Sequence, residues 1–275
     1  MVEERTVDLA EANREISNLN EKLQSENLRM GAELSVVRKL QQMILPKDEE
    51  LNQIAELDIA GFMQPADEVG GDYYDVLQHD GLVKIGIGDV TGHGLESGML
   101  MLMTQTAIRT LLESQETNPT QFISTINRVI YENAARMNCS KNLTLALLNY
   151  QNGCVNVSGY HEDVIVVRSD GNIERIDTSI LGLPIGLEAD ISPFLTDVQV
   201  QLYPNDLVVL YTDGITEAKN ELRAEYGVDR LCHIICEHRT SSAKEIRQMV
   251  IDDVQHHLGG HSTDDDITLL ILKQR

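Results

Sequence analysis

Apolar residues return every seven positions at the start of the chain: Val2, Leu9, Ile16, Leu23, Met30, Val37 and Ile44. The companion seam position carries Ala12, Leu19 and Leu40 and is interrupted by Glu26 and Glu33, and no proline occurs before Pro46. A heptad held this long predicts a left-handed coiled coil over residues 1–45, read here as a parallel dimer. The same stripe would also serve a single amphipathic helix folded back on the remainder. Gly31 and the two acidic seam positions make the middle of this helix weak.

After Pro46 the period shortens. Runs at 57–63, 71–78 and 82–90 read as strands, the last two joined by the tight turn His79-Asp80-Gly81. Helical stretches follow at 95–114 and 120–137, the second opened by Asn118-Pro119 as cap and first-turn proline. Further strands are expected at 143–150, 155–160, 164–168, 173–176, 198–202 and 207–211, with turns at Gln151-Asn-Gly153 and Ser169-Asp-Gly-Asn172. Helices at 228–237 and 243–258 precede a last strand at 267–272. Strands, helix pair, strands, helix pair, strand fits packed antiparallel sheets with helices outside them; periodicity alone says mixed α and β.

Composition narrows the partners. The 275 residues suit one sizeable domain plus an extension, and 42% apolar content is enough for a core. With 44 acidic against 22 basic residues the net charge is −22, which repels a phosphate backbone and argues against a nucleic-acid partner. No apolar stretch reaches the length of a membrane span and the N-terminus is not signal-like, so a cytoplasmic location is expected. Cys139, Cys154, Cys232 and Cys236 have the spacing of neither a disulfide framework nor a zinc ribbon. A metal held by Cys232 and Cys236 with His233 and His238 is less favoured than free thiols.

The candidate chemistry lies in four aspartates set in turn-rich frames. They are Asp72 in Val69-Gly-Gly-Asp-Tyr-Tyr-Asp75, Asp89 in Gly88-Asp-Val-Thr-Gly-His-Gly94, Asp213 in Tyr211-Thr-Asp-Gly-Ile-Thr-Glu-Ala218, and Asp265 in Asp264-Asp-Asp-Ile-Thr-Leu-Leu270. Each alone reads as a turn residue, because Asp bonds nearby backbone and tolerates unusual dihedrals. Together, at the ends of strand-like runs, they offer the oxygen ligands that Mg²⁺ and Mn²⁺ prefer. Glycines 70, 71, 88, 92 and 94 would let backbone approach such ions closely, Gly88 and Gly92 above all.

Those four frames, in this order, resemble the SpoIIE/RsbU-type branch of the PPM (PP2C-like) metal-dependent serine/threonine phosphatases. Gln41-Gln-Met-Ile-Leu-Pro46 and Gly182-Leu-Pro-Ile-Gly-Leu187 resemble further family segments, so the likeness runs from Leu40 to Lys273. It implies an α-β-β-α sandwich over residues 46–275, two packed antiparallel sheets flanked by helix pairs, preceded by the coiled-coil helix. It also implies two Mn²⁺ or Mg²⁺ ions, with Asp89 bridging them, the Val90 carbonyl beside it, and Asp72, Asp213 and Asp265 completing the set. Asp266 is the alternative to Asp265. A water activated by the ions would attack phosphorus in line with the serine or threonine oxygen, without a covalent phosphoenzyme. His93 is a candidate general acid toward the leaving alcohol or, equally, a structural histidine at the start of a helix. Asp75 either supports a ligand or lies on the surface.

The implied substrate is a phosphorylated regulatory protein, a STAS-type anti-sigma-factor antagonist. Where relatives carry an Ala-Gly-His-Pro-like stretch, this chain has Ser158-Gly-Tyr-His-Glu-Asp163, outside the aspartate set, which bears on substrate preference. The first helix resembles the signalling helices that leave PAS, GAF or HAMP modules, so the chain is expected to be the output end of a larger sensor. The competing reading is a catalytically idle dimeric scaffold of the same fold. A nuclease is disfavoured by the acidic charge.

Overall fold

The computed structural model describes residues 2–66, 69–92, 94–261 and 263–275, with side chains from residue 13 onward except those of residues 32 and 33. Helix α1, Val2–Ile44, is continuous, as the unbroken heptad and the lack of proline require. Its apolar stripe is open to solvent, with Ile16, Leu19, Leu23 and Met30 all more than half exposed. The last turns of α1 meet the body of the protein. Gln41 is buried and donates from Nε2 to the Gly70 carbonyl at 2.9 Å.

A single turn, α2 (Asp48–Leu51), leads to three strands, β1 (Leu57–Gln64), β2 (Tyr73–His79) and β3 (Leu82–Val90). Helices α3 (Leu95–Glu113) and α4 (Pro119–Met137) follow. The Asn118 side chain caps α4 by accepting from the Gln121 N–H, and Asn138 closes it in a left-handed conformation. Next come β4 (Leu143–Gln151), β5 (Cys154–Tyr160), β6 (Val164–Val167), β7 (Ile173–Ile176), β8 (Asp197–Gln201) and β9 (Leu207–Tyr211). The short turn α5 (Asp213–Thr216), helices α6 (Val228–Glu237) and α7 (Ala243–Leu258), and strand β10 (Ile267–Gln274) complete the chain. The one-turn helices α2 and α5, and the 3-10 turns Thr178–Ile180 and Ser192–Phe194, are not legible in the periodicity, being too short to repeat an apolar pattern.

The strands form two five-stranded antiparallel sheets, ordered β1-β10-β9-β6-β7 and β2-β3-β4-β5-β8. Three apolar clusters make the sandwich. One lies between the sheets, built from Ile85, Ile87, Leu148, Val208, Leu210 and Leu270 among others. A second joins α6 and α7 to the first sheet through Val209, Leu269, Ile271, Leu231 and Val250. The third joins α3 and α4 to the second sheet through Leu145, Leu147, Leu100 and Ile126. Because both sheets are covered on both faces, alternate residues of β9 and β10 serve different clusters. Their sequences are therefore continuous apolar runs rather than alternating ones. Among the described residues no helix is long and apolar enough to cross a membrane.

Candidate metal centre

The topology alone gathers the four aspartates. In the antiparallel pair β2 and β3, Tyr73 faces Gly88, so Asp72 before β2 stands beside Asp89 near the end of β3. In the other sheet Tyr211 faces Leu269, so Asp213 after β9 stands beside the residues that lead into β10. Both ends lie on one edge of the sandwich, and hydrogen bonds join them. Asp72 is buried, and its Oδ2 accepts from the Thr212 hydroxyl at 2.9 Å and from the Thr268 hydroxyl, both in the opposite sheet. Asp266 returns the link. Its Oδ1 accepts from the Ala66 N–H at 2.8 Å, and its Oδ2 accepts from Gly71 N–H at 2.7 Å and Asp72 N–H at 3.3 Å.

Asp265 and Asp266 thereby separate. Asp266 is 2% exposed with both oxygens occupied by backbone donors, so it anchors the loop that carries Asp72. Asp265 is exposed and uses one oxygen to accept from the Asp266 N–H. Gly214 makes this packing possible: a Cβ there would stand 1.9 Å from the Asp266 carbonyl oxygen.

Without a counter-ion these carboxylates strain one another. Burial, then the charges of Asp213, Asp265 and Asp266, push the Asp89 carboxyl up to about 8, partly offset by its hydrogen bond with Asp72. Asp72 is raised too, by burial first and then by Asp89 and Asp266, while the Thr268 and Thr212 hydroxyls oppose the shift. Asp213 is raised by burial, Asp265 and Glu217. Like charges sharing one site hold a proton where no cation stands. Among the described residues no three acidic, histidine or cysteine side chains close into a ready-made cage.

The donor set fits a hard divalent cation. Every group is an oxygen, and Gly71 leaves a cradle where a Cβ would meet Val90 O at 2.6 Å, Asp89 Oδ1 at 3.2 Å and Gly92 O at 3.2 Å. Lys141 donates to the Thr91 carbonyl at 2.9 Å and brings a positive charge beside the same turn. His93 lies outside the described residues. Asp75 is not a surface residue. It is buried on β2 and takes Arg109 and Gln105 of α3 as partners, at 3.2 and 3.3 Å.

The Ser158–Asp163 segment corrects the expectation that it stands apart from the site. His161 is buried and bonds to residues flanking two of the aspartates, and Glu162 is half-buried with its carboxyl raised by burial and by the Asp213 charge. Thr212 and Thr268 were equally missed as site residues, whereas Asp266 stands in the sequence as the alternative to Asp265. A threonine after a strand carries no local signal of the carboxylate it will meet. The four cysteines are free thiols, and His233 faces Glu237 at 3.8 Å.

The sequence profile of the family described as Stage II sporulation protein E (SpoIIE) matches residues 79–275. The chain is 28% identical over 247 residues to the phosphoserine phosphatase RsbU of Bacillus subtilis, covering 89% of this chain and 70% of that one. Its fold is similar to the SiaA-PP2C domain of Pseudomonas aeruginosa, with a TM-score of 0.79 and 19% identity over 91% of this chain and 99% of that one. It is also similar to the catalytic domain of the serine/threonine protein phosphatase PstP, solved with two manganese ions. That TM-score is 0.58, at 11% identity over 79% of this chain and 98% of that one.

Proposed function

The chain belongs to the SpoIIE family, and from that premise we propose that it is a metal-dependent protein phosphatase that hydrolyses phosphoserine or phosphothreonine on a regulatory protein. The observation that supports this reading is that the strand ends bearing Asp72, Asp89, Asp213 and Asp265 lie on one edge of the sandwich, near enough for the charges of Asp213 and Asp265 to act on Asp89. Asp89 would be the central residue of a set that holds two Mn²⁺ or Mg²⁺ ions. The Val90 carbonyl, Asp72, Asp213 and Asp265 complete the set. Two such ions, when bound, supply Lewis acidity and lower the pKa of water toward neutrality.

The protein's own groups do the rest. Asp89, whose carboxyl burial and neighbouring charges raise to about 8, would give up a proton to a bound cation, so metal affinity is expected to rise with pH. Thr212, Thr268 and the Asp266 anchor keep Asp72 turned toward the other sheet. Exposed Asp265 and half-buried Asp213 lie on the open side, where a phosphorylated side chain can approach. By its place in the sequence His93 is the candidate for proton transfer to the leaving alcohol, a structural role being the alternative.

Residues 46–275 are read as the catalytic domain and residues 1–45 as a coiled coil that pairs two copies, since Ile16, Leu19, Leu23 and Met30 have no cover within one chain. A STAS-type antagonist of an anti-sigma factor is the proposed substrate, and output from a sensor the proposed setting. Hydrolysis of p-nitrophenyl phosphate with and without Mn²⁺ tests the chemistry. Mn²⁺-dependent turnover that Asp89→Asn and Asp213→Asn both remove is the expected result. Turnover retained in Asp89→Asn refutes the centre, and Mn²⁺ binding without turnover by the chain or by a version lacking residues 1–39 favours an idle scaffold.

A further inference from the structure

We propose that His161 is a positioning residue for this centre, a polar strut that ties Asp89 in one sheet to the end of β9 in the other. The proposal rests on the metal-centre reading above and adds a residue to it that touches neither ion nor substrate.

The geometry is a directed chain of hydrogen bonds. The Asp89 N–H donates to the Thr144 hydroxyl oxygen at 3.3 Å. Thr144 Oγ1 lies 2.7 Å from His161 Nδ1, and His161 Nε2 lies 3.0 Å from the Tyr211 carbonyl oxygen. A carbonyl only accepts, so Nε2 carries the ring hydrogen. In a neutral ring Nδ1 is then an acceptor, and the Thr144 hydroxyl must donate to it. That hydroxyl has one hydrogen. The 2.7 Å contact claims it over the 3.4 Å approach to the Asp89 carbonyl, leaving the oxygen free to accept from the Asp89 N–H. Each donor and acceptor along the path therefore has one role.

Surroundings keep the ring in that state. His161 is 9% exposed, and burial lowers its pKa to about 4. Its own backbone is clamped, because the N–H donates to the Thr178 hydroxyl at 2.8 Å and the Thr178 hydroxyl donates to the His161 carbonyl. The ring is thus held from its own strand end while it reaches in both directions.

What the strut holds is the useful part. The carbonyl of Tyr211 accepts from His161, and the next residue, Thr212, donates its hydroxyl to Asp72. Asp213 follows directly. One histidine therefore fixes the peptide from which Asp72 is held and Asp213 projects, and through Thr144 it fixes the backbone of Asp89. The carboxylates repel one another, so holding them close on one edge depends on such ties. Polar groups that orient metal ligands without touching the metal commonly set affinity by roughly 10- to 100-fold.

The test is Mn²⁺ binding by titration calorimetry to the whole chain, its His161→Ala and Thr144→Val variants and the double variant, with melting of each metal-free form. A ¹⁵N-correlated histidine spectrum of the wild type accompanies it. The expected result is a loss of affinity of roughly 10-fold or more in each single variant. The double variant should be no weaker than the weaker single one, because both cut the same path. The spectrum should show His161 with hydrogen on Nε2 and a bare Nδ1. A folded His161→Ala or Thr144→Val protein with wild-type affinity overturns the proposal, as does hydrogen on Nδ1. If His161→Ala does not fold, Thr144→Val and the spectrum decide by the same criteria. A wild type that binds no Mn²⁺ fails the metal-centre reading and this proposal with it, whereas unaltered variants beside a Mn²⁺-binding wild type fail the strut alone.

Discussion

Replacing Asp89 with Asn should stabilise the metal-free protein even as it removes the metal-dependent activity. The Asp89 carboxyl rises from 3.8 to about 8 through burial and the charges of Asp213, Asp265 and Asp266. At about 1.4 kcal/mol per pKa unit, that shift caps the penalty at about 5–6 kcal/mol. Asp89 is only partly buried, and the solvent screening this allows brings the expected gain to about 2–3 kcal/mol, or roughly 5–10 °C in a chain of this size. The pH dependence has a definite sign. Below about 4 the folded and unfolded states both hold the proton, and the two proteins should melt together. Between about 4 and 8 only the folded wild type retains it, so wild-type stability falls with rising pH more steeply than that of the variant, which keeps only the raised carboxyls of Asp72 and Asp213. Scanning fluorimetry of chelator-treated samples at pH 5 and pH 8 reads this directly, and excess Mn²⁺ should reverse the order by stabilising only the wild type. A metal-free Asp89→Asn protein that melts at or below the wild type at pH 8 would refute the like-charge strain inferred for the cluster.

Asp266→Asn removes one of the acceptor oxygens serving Ala66, Gly71 and Asp72, and urea unfolding of the metal-free protein should show a loss of about 1–3 kcal/mol. Asp265→Asn, at an exposed position, should change stability by less than about 0.5 kcal/mol yet weaken Mn²⁺ binding in calorimetry; the opposite pattern would exchange the roles of the two residues. Gly214→Ala places a Cβ against the Asp266 carbonyl and should cost about 2–4 kcal/mol in the same urea assay, with Mn²⁺ affinity falling alongside. Paired Ile16→Asp and Leu23→Asp substitutions should convert a dimer to a monomer by light scattering while leaving the melting of the catalytic domain unchanged, since both side chains are exposed within one chain.

How much of this could be read along the chain follows from the range of each interaction. The unbroken heptad produced α1, Asn118-Pro119 produced the start of α4, and Asp80-Gly81 produced the β2–β3 turn, because each depends on contacts within a few residues. The continuous apolar runs at β9 and β10 announced strands covered on both faces. The four aspartate frames announced carboxylates at strand ends, and their family pattern supplied the order. Asp264, Asp265 and Asp266 were different, since three consecutive acids have no local feature that tells inward from outward. Only the approach of the loop bearing Gly71, 195 residues away in sequence, turns Asp266 into an anchor and leaves Asp265 exposed. Thr212 meets Asp72 across 140 residues and Thr268 meets it across 196, so their hydroxyls acquire a role only when two sheets are packed. His161 belongs with them, its ring being a bridge only because β4 and β9 arrive on either side of it. Local sequence specified where carboxylates would stand along each strand; the packing of one sheet on the other, which no short-range pattern encodes, decided which of them face each other and what holds them there.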